Sequence, residues 1–170
     1  MLETVFLIVF AMIGLSLLLN LWRLVVGPSV PDRILALDTM YINTIALIIL
    51  YGSQTGNSKG VATKLKEQAE SRGLAVKLVS MADYKPTALK KEKFLTVVVS
   101  TYGEGEPPED AEALHEFLAT KKAPKLDGVK IAVIGLGDSS YEFFCQTAKD
   151  FEQRLNKLGA ETVYQRADLD

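Results

Sequence analysis

The chain has 170 residues, 48% of them apolar, with one cysteine and a formal net charge of −2. That composition can bury a core and excludes a disordered chain, an internal disulfide framework and a Cys/His zinc cluster; it points to a reducing compartment. The 19 Lys and Arg form no concentrated basic stretch, which argues against a nucleic-acid partner.

Charge is unevenly spread. Residues 1–50 carry only Glu3, Arg23, Asp32, Arg33 and Asp38, whereas residues 51–170 hold the other 17 basic and 18 acidic side chains. Between Glu3 and Arg23 run 19 uncharged residues, TVFLIVFAMIGLSLLLNLW. As a helix they would span about 28 Å, close to a bilayer core. One membrane span over residues 4–22 is expected, with Trp22 and Arg23 as interfacial anchors and the following segment cytoplasmic. A signal peptide fits less well, because no basic region precedes the run and no small-x-small site precedes Gly27-Pro28; a fully buried soluble helix is the other alternative. An amphipathic connector is expected near residues 32–43. A second span over residues 34–50 would bury Asp38 at a cost of a few kcal/mol, and "IALIIL" cannot serve both that span and a strand of the next domain.

The stretch GPSVPDRILALDTMYINTIALIIL resembles the small F subunit of the multisubunit Mrp-type sodium/proton antiporters, through its Gly-Pro-Ser turn, its Asp-Arg pair and LALD. The resemblance covers about residues 1–50. It implies further membrane helices, with Asp32, Arg33 and Asp38 near an ion path. The chain departs from that pattern after Leu50.

From residue 45 onward, short apolar runs alternate with helical periodicity, the pattern of a parallel α/β sheet. Strands are expected at 45–51, 74–80, 94–100, 129–136 and 161–166, and helices at 57–71, 109–121 and 141–158. In the last helix Phe144, Ala148, Phe151 and Leu155 recur at helical spacing. ADYKPTALKKEKF reads as a polar loop with a short helix, and KKAPKLDG as a turn. The expected division is residues 1–43, membrane helix and connector, and residues 44–170, the α/β domain.

Parallel strands bring their loops together at the carboxyl ends, where ligands bind. In GSQTGNS the hydroxyls of Ser53, Thr55 and Ser58, the Asn57 amide and the backbone N–H groups of Gln54 and Gly56 meet a helix N-terminus, a setting that favours a phosphate. No lysine follows at Walker spacing, so neutral donors would hold a monoester dianion; the alternative is a plain N-cap and turn. GLGD at 135–138 has no third glycine and fails as a dinucleotide fingerprint. STYGEGEPPEDA sets Tyr102 beside Gly103 and Gly105, which let backbone approach a flat ligand. Tyr141 follows the GDSS turn, and two tyrosines on neighbouring loops can face one ring from both sides. A ring plus a phosphate suggests FMN.

Residues 47–170 resemble the FMN-binding, flavodoxin-like domain of diflavin reductases, most closely that of the NADPH-sulfite reductase flavoprotein, through SQTGN, STYGEGEPP, KKAPKL and LGDSSYEFFCQ. Sulfite reductase members usually carry glutamine where this chain has Tyr102. The resemblance implies a five-stranded parallel sheet of order 2-1-3-4-5. It implies that Ser53, Gln54, Thr55, Gly56, Asn57 and Ser58 bind the phosphate. Ser100, Thr101, Tyr102, Gly103, Glu104 and Gly105, with Leu136, Gly137, Asp138, Tyr141, Phe144 and Cys145, would line the isoalloxazine. The expected function is a one-electron relay, an oxidoreductase component with an FAD/NADPH reductase module as donor and a haem or iron–sulfur protein as acceptor. Asp168 and Asp170 resemble acidic positions near the flavin.

The sequence lacks the last helix of that fold and any NADPH- or FAD-binding module, so one sheet face is expected to be apolar, and either part of residues 1–43 covers it or the fold is weakened. No catalytic base or metal site is expected. Glu104, Glu106, Glu109, Asp110, Asp138 and Glu142 would form an acidic rim that lowers the flavin potential and steers a basic partner, or simply a solvated surface. His115 is read as a surface or boundary residue, Cys145 as a packing residue, and Phe143 and Phe144 as core. Two alternatives stay open: a membrane subunit of a cation/proton antiporter with this domain as an appendage, and a non-natural fusion of two gene fragments.

Overall fold

The computed structural model describes residues 14–19, 21–22 and 47–170. The chain divides into two compact units, Met1–Ile45 and Ala46–Asp170. In the first unit residues 14–19 and 21–22 are helical, with Leu15, Leu18, Leu19, Leu21 and Trp22 exposed. Among the described residues no helix is long and apolar enough to cross a membrane. Most of the expected span over residues 4–22, the whole connector near 32–43 and the proposed covering segment lie outside the described residues. The conflict over IALIIL is decided for residues 47–50, which are strand.

The second unit is built on parallel strands β1 (Leu47–Gly52), β2 (Val76–Ser80), β3 (Phe94–Ser100), β4 (Lys130–Leu136), β5 (Glu161–Thr162) and β6 (Ala167–Leu169). Their order is β2-β1-β3-β4-β5, with β6 pairing β4 further along. Helices α1 (Asn57–Ser71), α2 (Glu109–Ala119) and α3 (Gln146–Lys157) make the crossovers. Strands covered on both faces read as continuous apolar runs, and Ile48–Leu50 and Leu95–Val99 are accordingly buried. Alternate side chains then separate two cores. Ile48, Leu50, Val97, Val99, Ile131 and Val133 pack with α2 and α3, through Leu114, Leu118, Phe151 and Leu155. Ile49 and Val98 pack with Ala62 of α1, supported by half-buried Val61, Leu65, Ile134 and Leu136.

Register decides where the loops emerge. Gly52 pairs with Val99, Val99 with Gly135, and Ser100 with Leu136, so β1, β3 and β4 end level with one another. Glycine at two of these ends admits the helices packed against them. A Cβ on Gly52 would lie 2.7 Å from Ala111 Cβ, and one on Gly135 would lie 2.7 Å from Ala148 Cβ.

Several elements depart from expectation. The third helix begins at Gln146 rather than 141, because Tyr141 N–H closes a turn on the Asp138 carbonyl at 3.1 Å and Cys145 adopts φ 52. A side chain rarely takes that left-handed conformation, and it stops the helix from running further back. The expected strand 161–166 splits into β5 and β6, separated by exposed Val163–Gln165. The polar loop after β2 forms two short 3-10 helices, Met81–Asp83 and Pro86–Lys91, that plug the core with Met81 and Leu89. Phe143, expected in the core, is 43% exposed, since it precedes the helix in the surface turn. His115, expected at the surface or a boundary, is buried on α2 against the Phe151 ring, with centroids 5.3 Å apart.

Candidate functional site

At the level ends of β1, β3 and β4 the three loops enclose a cleft of two adjoining lobes. The larger, about 590 Å3, is lined by Gln54, Thr55, Gly56, Asn57, Ser100, Leu136 and others, and the smaller, about 230 Å3, by Gly103, Tyr141, Phe143, Phe144 and Cys145. Thr101, Tyr102, Gly137 and Asp138 belong to both.

The loop after β1 is held by its own serine. Ser53 Oγ accepts the N–H groups of Gly56 at 2.9 Å and Ser58 at 3.2 Å, while Ser53 N–H donates to Asp110 Oδ1 of α2 at 2.7 Å. Ser53 thus shapes the loop and does not line the cleft. Gly56 caps α1 at φ 90 with no side-chain cap, and no acid occupies the first helical turn. Ser53 Oγ occupies the Ser58 N–H, which leaves the Asn57 and Lys59 N–H groups at the start of α1 for an anion. Gln54 Oε1 accepts Glu109 N–H at 3.3 Å, tying the same loop to the start of α2.

The loop after β3 is a tight hairpin. Tyr102 N–H and Glu106 N–H each bond the other's carbonyl at 2.9 Å, and Gly103 and Gly105 take the positive φ values of 54 and 111 that the reversal needs. Glu106 Oε2 accepts Glu104 N–H at 2.7 Å. From below, buried Thr147 of α3 clamps the hairpin: its hydroxyl donates to the Gly105 and Glu106 carbonyls at 3.3 and 3.0 Å, and its N–H donates to Thr101 Oγ1 at 3.2 Å. Glu104 and Gly105 support this loop without lining either lobe. Tyr102 is left 57% exposed and Tyr141 65%.

In the loop after β4, Asp138 Oδ1 accepts both the N–H of Ser140 at 2.9 Å and its hydroxyl at 2.5 Å. These donors hold the Asp138 carboxyl below the usual carboxylate range. Gly137 lets the chain pass under Phe144 and Cys145, because a Cβ there would lie 3.0 Å from Cys145 N. Cys145 is buried, and its thiol is pushed up to about 11 by burial and then by the nearby Asp168. Burial and the raised thiol disfavour the reactive thiolate and suit a packing role. Burial likewise raises Asp110, opposed by the Ser53 hydrogen bond.

Two hydroxyls stand out. Ser58 Oγ and Ser100 Oγ are buried without a hydrogen-bond partner among the described residues, and Ser100 lines the larger lobe. A buried hydroxyl of this kind ordinarily has a partner, so Ser100 fits a polar ligand seated against it. Residues that the motif reading did not single out also line the cleft: Gly60, Val61 and Lys64 of α1, and Leu169 at its edge. The α1 residues could have been found from their spacing to Asn57, which is one helical face. Leu169 could not, because its position depends on the parting of β5 and β6. Asp170, noted above as a possible flavin neighbour, does line the larger lobe and bonds Ser139 N–H at 3.2 Å.

The Flavodoxin family model matches residues 49–170, and the model of Multiple resistance and pH regulation protein F (MrpF / PhaF) matches residues 31–59. The sulfite reductase [NADPH] flavoprotein alpha-component of Photobacterium profundum is 60% identical over 124 residues, 73% of this chain and 20% of that protein. The same component of Bacillus subtilis is 53% identical over 122 residues, 72% of this chain and 20% of that protein. This chain therefore spans about a fifth of the length of those relatives. Among solved structures, the Streptococcus pneumonia TIGR4 flavodoxin superposes with TM-score 0.67 at 27% identity, covering 73% of this chain and 83% of that one. Oxidised Flavodoxin 2 from Bacillus cereus gives TM-score 0.66 at 32% identity, covering 72% and 82%. The fold is that of an FMN-binding electron-transfer domain. The chain belongs to the flavodoxin family.

Proposed function

We propose that the 44–170 domain holds FMN in the two-lobed cleft and relays single electrons between an FAD/NADPH reductase module and a haem or iron–sulfur acceptor. The observation that supports this most is the continuity of the cleft, from a loop of neutral donors at a helix N-terminus to two exposed tyrosines. When bound, FMN supplies a ring that takes up and releases electrons. Thr55, Gly56 and Asn57 would receive the phosphate, with Ser53 and Ser58 holding that loop in shape. Ser100 would bond the middle of the ligand, and Tyr102 and Tyr141 would flank the ring. Gly103, Leu136, Gly137, Phe144 and Cys145 would close the floor against water, leaving the tyrosine side open to a partner. Exposed Glu104, Glu106, Glu109 and Glu142 would orient a basic partner there.

Purified full-length protein mixed with excess FMN should take on flavin absorbance that survives desalting. Replacing Thr55 and Tyr141 should remove it. A wild-type chain that stays colourless would end the proposal.

The match over residues 31–59 and the 19 uncharged residues before Arg23 favour a membrane setting for the first unit. In that reading residues 4–22 anchor the chain with the α/β domain on the cytoplasmic side, or residues 1–43 belong to a cation/proton antiporter subunit that carries the domain. Alkaline extraction of membranes should leave the chain in the pellet; release into the supernatant would refute both forms.

A further inference from the structure

We propose that Lys64 makes the cleft select a phosphorylated flavin over its unphosphorylated form. This rests on the FMN reading above and assigns charge recognition to a residue outside the loop motif. Asn57, Gly60, Val61 and Lys64 line the larger lobe at i, i+3, i+4 and i+7, which is one face of α1. Among the described residues Lys64 is the sole cationic side chain lining either lobe; the other charged side chains there are Asp138 and Asp170. Those two carboxylates disfavour a dianion in the cleft, and Lys64 offsets them.

Helical side chains lean toward the N-terminus, so the Lys64 stem lies over the turn that contains Gly60. A Cβ on Gly60 would meet nothing within 4 Å, and the missing side chain leaves that lane open toward Asn57. Seven residues of helix separate the Asn57 and Lys64 backbones by about 10 Å, and the four-carbon stem carries the ammonium part of the way back. Among the described residues Lys64 forms no ion pair; the pair on α1 is Lys66 with Glu70, at 3.7 Å. The ammonium is thus free to act on a ligand, and it adds to the N–H groups of the helix start that Ser53 leaves open. It distinguishes a phosphate dianion from a hydroxyl, which neutral donors do poorly.

The test is titration of the full chain and its Lys64→Gln and Lys64→Arg variants with FMN and with riboflavin, in low salt and in about 0.5 M salt. A cation about 6 Å from a dianion in a water-like medium is worth about tenfold in affinity. Lys64→Gln should therefore weaken FMN about tenfold and riboflavin less than about twofold, with the difference shrinking in high salt, while Lys64→Arg keeps most of the preference. Riboflavin binding also reports that the variant is folded. Equal losses for both flavins, or no loss of FMN, would overturn the role of Lys64 and leave the FMN reading standing. A wild-type chain that binds neither flavin would overturn both.

Discussion

The two ends of the cleft are built on opposite plans. At the end formed by residues 53–58, polar groups already bond one another: Ser53 Oγ holds Gly56 and Ser58, and Asp110 holds Ser53 from the other side of the sheet edge. At the other end Tyr102 and Tyr141 stand more than half exposed, on loops whose rigidity comes from below, through Thr147 and the Asp138 turn. Under the proposed function the difference follows from what each end would recognise. A phosphate needs several donors placed within tenths of an ångström, so the backbone is fixed before the ligand arrives. A flat ring offers area, and stacking tolerates small displacements, so the side chains can wait in water.

Removing both aromatic faces should produce the largest effect. The double change Tyr102→Ala with Tyr141→Ala should weaken FMN and riboflavin alike, about a hundredfold, with little change in the unfolding midpoint, because both side chains are exposed. A loss confined to FMN would contradict the assignment of the two ends. Next comes the strut behind the phosphate end. Asp110→Ala should cost about 1–3 kcal/mol in urea unfolding by stranding Ser53 N–H, and should weaken FMN more than riboflavin. Asp110→Asn keeps an acceptor oxygen and should restore most of both; if it behaves like alanine, the carboxylate charge matters more than the bond.

The smallest effect concerns a group remote from either end and serves as the control. Burial, and after it the Arg154 guanidinium, lowers the pKa of His115, with Asp150 pulling weakly the other way. Its Nε2 lies 3.5 Å from Asp150 Oδ2. The unfolded chain protonates this imidazole near pH 6.5, about where a free histidine titrates, and the folded chain does so only at lower pH. Between those two values the unfolded state binds more protons, so stability falls as pH drops through that window and is unaffected above it. His115→Gln should flatten the fall in urea midpoint below about pH 6.5 without altering flavin affinity at neutral pH. An unchanged slope would place the acid-sensitive group elsewhere.

Much of this was legible in residue order. β3 and α1 fall on residues 94–100 and 57–71, as periodicity indicates, because a strand buried on both faces and a helix with one apolar stripe each carry their own pattern. The loops after β1, β3 and β4 were legible as lining one cleft, because a parallel sheet has one edge where such loops collect. What local pattern could not place were features made by distant partners. The start of α3 depends on Cys145 turning left-handed beneath the cleft, the parting of β5 from β6 depends on pairing with β4, and the burial of His115 depends on Phe151 of another helix.

Sequence alone determined the alternation of strands and helices and the small polar loop that opens α1, since each rests on spacing within a few residues. Only the tertiary structure decided that Ser53 is bound by Asp110, 57 positions away, that Thr147 clamps the ring-side hairpin, and that Lys64 faces the same lobe as Ser100 and Asp170. Contacts across such separations are set by how sheet and helices pack, and packing is a property of the whole domain that no short window contains.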